Sequence, residues 1–203
     1  MIANSKATGI VLASKSAARR AVLDGAGVPY EAATAGGDED AGKIGLLAEG
    51  ANAREIADAL AELKAIKVSR SRTEFVIGAD QTLEFEGKLY DKVETLAGAR
   101  ARLQVLRGGP HKLHSAVVVA REGAPIWREV VTATLTMRDF SDAFLDAYLA
   151  HEGEAALGSV GCYRLEGPGV QLFSKIDGDY FTILGLPLMG LLDLLRRHGE
   201  LPA

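Results

Sequence analysis

Hydrophobic and polar positions alternate with two different periods along this chain, and the alternation divides it into short strands and longer helices. Thr8 to Ala13 is a brief apolar run of strand length, followed by Ser14 and Ser16 and a helical pattern from Ala17 to Ala26. Gly27 and Pro29 close that helix, Tyr30 to Thr34 reads as strand, and the Gly/Asp-rich stretch from Ala35 to Gly45 reads as loop. Asn52 with Glu55 three residues later forms a capping box, opening a helix to about Ser69 with an apolar stripe of Ile56, Leu60 and Leu63. Glu74 to Ala79 reads as a buried strand ending at Asp80. Thr82 to Glu86 and Lys88 to Tyr90 flank Gly87 as a hairpin.

Thr95 to Leu106 carries the next helical pattern, stopped by Gly108-Gly109-Pro110. Lys112 to Ala120 and Arg128 to Met137 are strong strands. The second sets Val131, Ala133, Leu135 and Met137 on one face and three threonines on the other. Ser141 caps a helix whose buried side is Phe144, Leu145, Tyr148 and Leu149; Val170 to Ile176 is a strand, and Pro187 opens a last helix ending near His198. Helix-separated and adjacent strands together predict a mixed α/β fold. With no linker or internal repeat, the expected organisation is a single domain over residues 1–203.

Composition narrows the function classes. Apolar residues make up 48% and charged residues 25% of 203 positions, ordinary for a globular chain. A net charge of −4 argues against a protein that coats DNA or RNA, which needs a broad basic face, but leaves room for a small basic pocket. The single cysteine, Cys162, excludes a disulfide scaffold and a multi-cysteine metal site. The polar start of the chain and the lack of an eighteen-residue apolar window predict a cytoplasmic protein, with no membrane partner and a reduced thiol.

Several residues are placed to do chemistry. Asp80, at the end of a buried strand beside small Gly78 and Ala79, suits a ligand crevice or a turn equally. Ser14, Ser16, Arg19 and Arg20 at the first strand-to-helix junction suit a phosphate cradle; the plainer reading is a serine cap with two solvated arginines. Lys64, near the edge of the helix stripe, either snorkels or reaches a phosphate. Glu39, within Asp38-Glu-Asp40, has the hard oxygen chemistry of divalent-cation ligands. His111 and His114 point to opposite faces of a strand, which makes a shared metal improbable. Cys162 reads as a small buried hydrophobe. No Gly-x-Gly-x-x-Gly follows the first strand, so a Rossmann cofactor site is a poor reading.

The order of these signals says more than any one of them. Leu12-Ala-Ser-Lys-Ser16 with Arg19, Asp38-Glu39, Leu60 to Ala65, Ile77-Gly-Ala-Asp-Gln-Thr82, Lys92, Ser115 to Val118, Val160-Gly-Cys-Tyr-Arg-Leu-Glu-Gly167, Gly178-Asp-Tyr180 and Gly185 to Leu188 closely resembles the Maf family across residues 9 to 198. The resemblance implies a fold related to inosine triphosphate pyrophosphatases, a long mixed sheet flanked by helices with a cleft between two lobes. It implies hydrolysis of a nucleoside triphosphate, the nucleotide being its partner, to monophosphate and pyrophosphate, a divalent cation (Mg2+ or Mn2+), and a homodimer. Asp80 matches the proposed catalytic base. Ser14, Arg19, Glu39, Lys64 and Lys92 match the family's polar cleft residues; with Ser16 beside them, Arg19, Lys64 and Lys92 can hold the triphosphate, and a metal bound through Glu39 or Asp80 can bridge phosphate oxygens. Gln81 and Glu166 resemble the branch that prefers 7-methyl-GTP. Ala18 stands where that branch carries a bulky aromatic, and Ser159 where a lysine is usual. The competing class is a nucleotide-binding regulatory dimer in cell division with little catalysis.

Overall fold

The computed structural model describes residues 9–36 and 39–203. Among them, seven strands form one mixed sheet in the order β2-β1-β3-β5-β6-β7, with β4 paired to β3 outside that path. β1 (Ile10–Ala13) runs parallel to both β2 (Glu31–Ala33) and β3 (Phe75–Phe85). β3, β5 (Pro110–Arg121), β6 (Ala124–Met137) and β7 (Phe173–Asp177) are antiparallel neighbours. The hairpin read around Gly87 joins β3 to β4 (Lys88–Tyr90), with Glu86 and Gly87 both at positive φ, 51° and 73°. That pair of left-handed residues matches the right-handed twist of the strands it connects.

The helices are α1 (Ala17–Gly25), α2 (Glu39–Ala48), α3 (Ala53–Ser69), α4 (Leu96–Leu106), α5 (Asp142–Glu152), α6 (Tyr180–Ile183) and α7 (Leu188–Arg197). Their starts follow local chemistry. Ser16, Thr95 and Ser141 each cap with a side-chain oxygen, and the Asn52–Glu55 capping box is complete in both directions. Three expectations need correction. Residues 39–48 form α2 although Gly42 and Gly45 weaken its helical pattern. Residues 168–172 form a 3-10 turn, so β7 starts only at Phe173. Leu63 is 40% exposed; the buried stripe of α3 runs instead through Ile56, Ala57, Leu60, Ala61, Lys64 and Ala65.

The alanines in that stripe let α3 lie almost on the sheet. An ideal Cβ placed on Gly78 of β3 would stand 2.2 Å from the Ala61 carbonyl oxygen and 2.6 Å from the Ala65 nitrogen. On the other face two apolar clusters lie apart. One gathers α1, α7, Ile10, Leu12, Phe75 and Ile77; the other gathers α4, α5, Leu83, Leu113 and Leu135.

His111 and His114 do face opposite sides, as their spacing predicts. His114 meets Thr132 and Glu84, whereas the His111 ring is buried among Tyr163 and Phe173 with Nε2 2.7 Å from the Tyr163 hydroxyl. Burial lowers the His111 pKa to about 4, from an ordinary 6.5. The unfolded chain therefore binds a proton near pH 6.5 that the folded chain refuses until about pH 4. The stability His111 allows is fully present above pH 6.5 and falls as pH drops toward 4, by on the order of 3 kcal/mol. Urea midpoints at pH 7 and pH 4.5 should show this loss, and it should shrink in His111→Phe. An equal loss in that variant would assign it to other groups.

Candidate active site

The site arises from the way β3 changes partners. On one side β3 pairs with β5 over its whole length. On the other, β1 ends with Ala13 opposite Gly78, and β4 reaches back along β3 only to Tyr90, opposite Leu83. Between these neighbours, Ala79 to Thr82 form an open stretch of sheet edge. A cleft of about 1380 Å³ lies there, lined by Ser14, Ser16, Ala18, Arg19, Lys64, Asp80, Gln81, Lys92 and Glu166 among others. Asp80 therefore sits in the interior of an eleven-residue strand and not at a strand end, contrary to the sequence reading. What exposes it is the missing neighbour strand.

Asp80 faces α3, where Lys64 Nζ donates to its Oδ1 at 2.7 Å; the two side chains are 16% and 9% exposed. Lys64 thus does not snorkel to the surface: its ammonium is held inside the cleft. Asp80 Oδ2 has no hydrogen bond among the described residues. At the opposite wall, Ser16 caps α1 by accepting from the Arg19 backbone N–H, so that part of the plainer reading holds. Arg19 itself is buried, however, with Nε donating to the Gly185 carbonyl at 2.7 Å and Nη1 to Ser14 Oγ at 3.2 Å. Gly185, at φ +93°, brings its backbone against both Arg19 and Gln81. These contacts leave a guanidinium, a hydroxyl and the first-turn N–H groups of α1 converging on one wall.

Gln81 turns to the other face of the sheet. Its Nε2 lies 2.9 Å from Ser115 Oγ, 3.1 Å from the Thr182 carbonyl and 3.0 Å from the Ile183 carbonyl. With acceptors on that side, the amide nitrogen is committed to α6, and only the amide oxygen is left for a ligand. Ser115 in turn donates to the Thr182 carbonyl, and Asp179 caps α6 through Thr182. Glu166 lies at the far rim, paired with Arg164 at 3.3 Å. Ser159 bonds both backbone groups of Tyr163 and closes the 159–163 turn behind the cleft wall. Cys162 is buried in that turn, its thiol pushed up to about 11 by burial, and is inert as a nucleophile.

Sequence reasoning overlooked Lys43 and Arg164. Lys43 lines the cleft and pairs with Asp91 from α2, in a stretch read as loop. Arg164 carried a signal, its spacing of two from Glu166. The backbone of Glu39 starts α2, while its side chain, and all of Asp38, lie outside the described residues. Among the described residues there is no group of three or more His, Cys, Asp or Glu able to hold a metal, and no helix long and apolar enough to cross a membrane. Among the described residues, six cationic side chains, from Lys15, Arg19, Lys43, Lys64, Lys92 and Arg164, line the cleft against four carboxylates, from Asp80, Asp91, Glu154 and Glu166, a local excess of two positive charges in a chain whose net charge is −4. That concentration of positive charge suits a polyanionic ligand.

A family model described as Maf-like protein matches residues 9–198. A Caulobacter vibrioides protein named nucleoside triphosphate pyrophosphatase is 64% identical, over 96% of this chain and 98% of its own. A protein of the same name from Granulibacter bethesdensis is 54% identical over 95% and 98%. One from Brucella abortus, named 7-methyl-GTP pyrophosphatase, is 49% identical over 93% and 96%.

Proposed function

The chain belongs to the Maf-like protein family, and from that premise we propose that it is a nucleoside triphosphate pyrophosphatase, opening the α–β phosphoanhydride to release a nucleoside monophosphate and pyrophosphate. The names of relatives at 54–64% identity support that reaction, and a relative at 49% carries a 7-methylated guanine nucleotide in its own name. The observation that supports the reading for this chain is that one cleft beside the open edge of β3 is lined by Asp80, its partner Lys64, Arg19 and Lys92.

Phosphoanhydride cleavage depends chiefly on positioning and charge neutralisation. Arg19, the Ser14–Ser16 turn and the α1 N-terminus hold phosphate oxygens from one side, and Lys64 and Lys92 from the other. Lys64 fixes Asp80 through Oδ1, so Oδ2 is the atom that orients the attacking water and accepts its proton. Asp80, whose Oδ2 accepts no hydrogen bond among the described residues, has the carboxylate chemistry of a magnesium or manganese ligand, because such ions bind through one or two carboxylates plus substrate phosphates and water. Asp80 and Glu39 would hold the ion, which supplies charge neutralisation and a more acidic water.

Pyrophosphate release across a panel of canonical and modified nucleoside triphosphates tests the reaction; silence on every one would defeat it. Lys64→Met and Lys92→Met should each weaken all nucleotides about tenfold or more and by similar factors, since each removes a charged hydrogen bond to phosphate. A variant that reorders the bases at unchanged affinity would take that lysine out of the phosphate site.

A further inference from the structure

Glu166 is the residue through which the resemblance connects the cleft to base choice, and an isolated carboxylate there would favour a base carrying a fixed positive charge. The carboxylate is not isolated. Arg164 Nε lies 3.3 Å from Glu166 Oε1, and Arg164 Nη1 lies 3.5 Å from Glu152 Oε2. The Glu152 side chain is only 3% exposed, whereas those of Arg164 and Glu166 are 41% and 30% exposed, and the latter two line the cleft. Glu152 ends α5, where the helix dipole disfavours a carboxylate, and the Arg164 guanidinium beside it offsets that charge. This carboxylate anchors Arg164 from behind.

The backbone holds this arrangement. The Gly167 N–H donates to the Arg164 carbonyl, and an ideal Cβ on Gly169 would stand 2.4 Å from that same oxygen. Pro168 then opens the 3-10 turn. Residues 164–169 therefore close into a tight loop that keeps Arg164 beside Glu166. The turn at Gly167 has no side-chain cap, so Glu166 is not spent there.

We propose that Arg164 is a specificity residue that neutralises Glu166, so that the site reads a guanine-type base by hydrogen bonding and takes little advantage of a positive charge on the base. Glu166 keeps its second oxygen as an acceptor for a donor edge such as N1–H and the 2-amino group. Gln81, with its nitrogen committed to α6, adds only an acceptor. Two acceptors favour guanine over pyrimidines, while the guanidinium offsets the attraction for a methylated, cationic ring.

This inference rests on reading the cleft as a nucleotide site. The test compares 7-methyl-GTP with GTP by kcat/KM, and 7-methyl-GMP with GMP by equilibrium binding. In the wild type both ratios should lie within about threefold of one. Arg164→Gln should raise both in favour of the methylated base by about threefold to tenfold, the scale of one partly screened charge. Because Arg164→Gln leaves Glu152 buried without its cation, Glu152→Gln/Arg164→Gln is measured beside it and should show the same shift. Glu166→Gln added to the double variant should remove the shift. Unchanged ratios in the double variant overturn the proposal, as does a strong wild-type preference for the methylated base. Monophosphate binding needs no turnover. A chain that binds both monophosphates but releases no pyrophosphate would fail as an enzyme and still decide the role of Arg164.

Discussion

Asp80→Asn should lower kcat by about two to four orders of magnitude, the usual range for loss of a positioned acid–base group, with secondary structure and thermal midpoint close to wild type. The change is isosteric, and the amide oxygen can still accept from Lys64 at the position where Oδ1 now lies 2.7 Å from Nζ. Only the charge and the acceptor Oδ2 are altered. Affinity gives an independent reading. The lost negative charge lies in a cleft rich in cations, so triphosphate binding measured without the divalent ion should be as tight or tighter. A variant that keeps most of its rate would mean that Asp80 does not take the proton. A variant with an unchanged thermal midpoint that loses both rate and magnesium-dependent binding would mean that Asp80 serves chiefly to hold the ion; only a lowered midpoint would mean that the substitution damaged the cleft.

Gly78→Ala should be among the most disruptive single-methyl changes in the fold. The new Cβ would have to occupy space 2.2 Å from the Ala61 carbonyl oxygen and 2.8 Å from the Ala65 Cβ. Neither neighbour is the end of a flexible side chain, so α3 must lift as a body. Overpacking of this kind costs about 2–3 kcal/mol, or roughly 4–12 °C of thermal midpoint for a chain of this length. Because α3 also carries Lys64, the same displacement should pull the ammonium away from Asp80 and reduce turnover in whatever fraction remains folded. A variant with an unchanged midpoint and full activity would mean that α3 is not seated on β3 at this glycine.

The elements most legible in the sequence are those whose causes are local. The Asn52–Glu55 capping box, the Ser16 and Ser141 caps and the Gly87 hairpin each follow from residues within four positions of one another. Gly42 and Gly45 weaken the helical pattern of α2 and hide it, and period alone assigns the neighbouring Leu63 to the core, although it is 40% exposed. The opposite error concerns Asp80. Periodicity placed it at a strand end, while β3 in fact runs five residues further. Its exposure comes from β1 stopping opposite Gly78 and β4 ending opposite Leu83, a fact about neighbours that Asp80 and its flanks do not encode. Lys64 shows the same limit. Its spacing leaves two readings open, and only the passage of α3 over β3 brings its ammonium to Asp80.

The candidate site was legible mainly through the order of its short motifs. Ser14, Arg19, Lys64, Asp80, Gln81, Lys92 and Glu166 are spread over more than 150 positions, yet they line one cleft. Roles were harder to read than places. Gln81 spends its amide nitrogen on the carbonyls of α6, and Glu166 shares its charge with Arg164, two contacts that join residues to partners a sequence motif does not mention.

Cleavage between the α and β phosphates leaves a product pair of its own, which phosphorus NMR of a GTP solution incubated with the protein and magnesium resolves. GMP and pyrophosphate should appear together in equal amounts from the first turnovers, and Asp80→Asn should suppress both. Formation of GDP and inorganic phosphate in their place would rule out attack at the α–β bond.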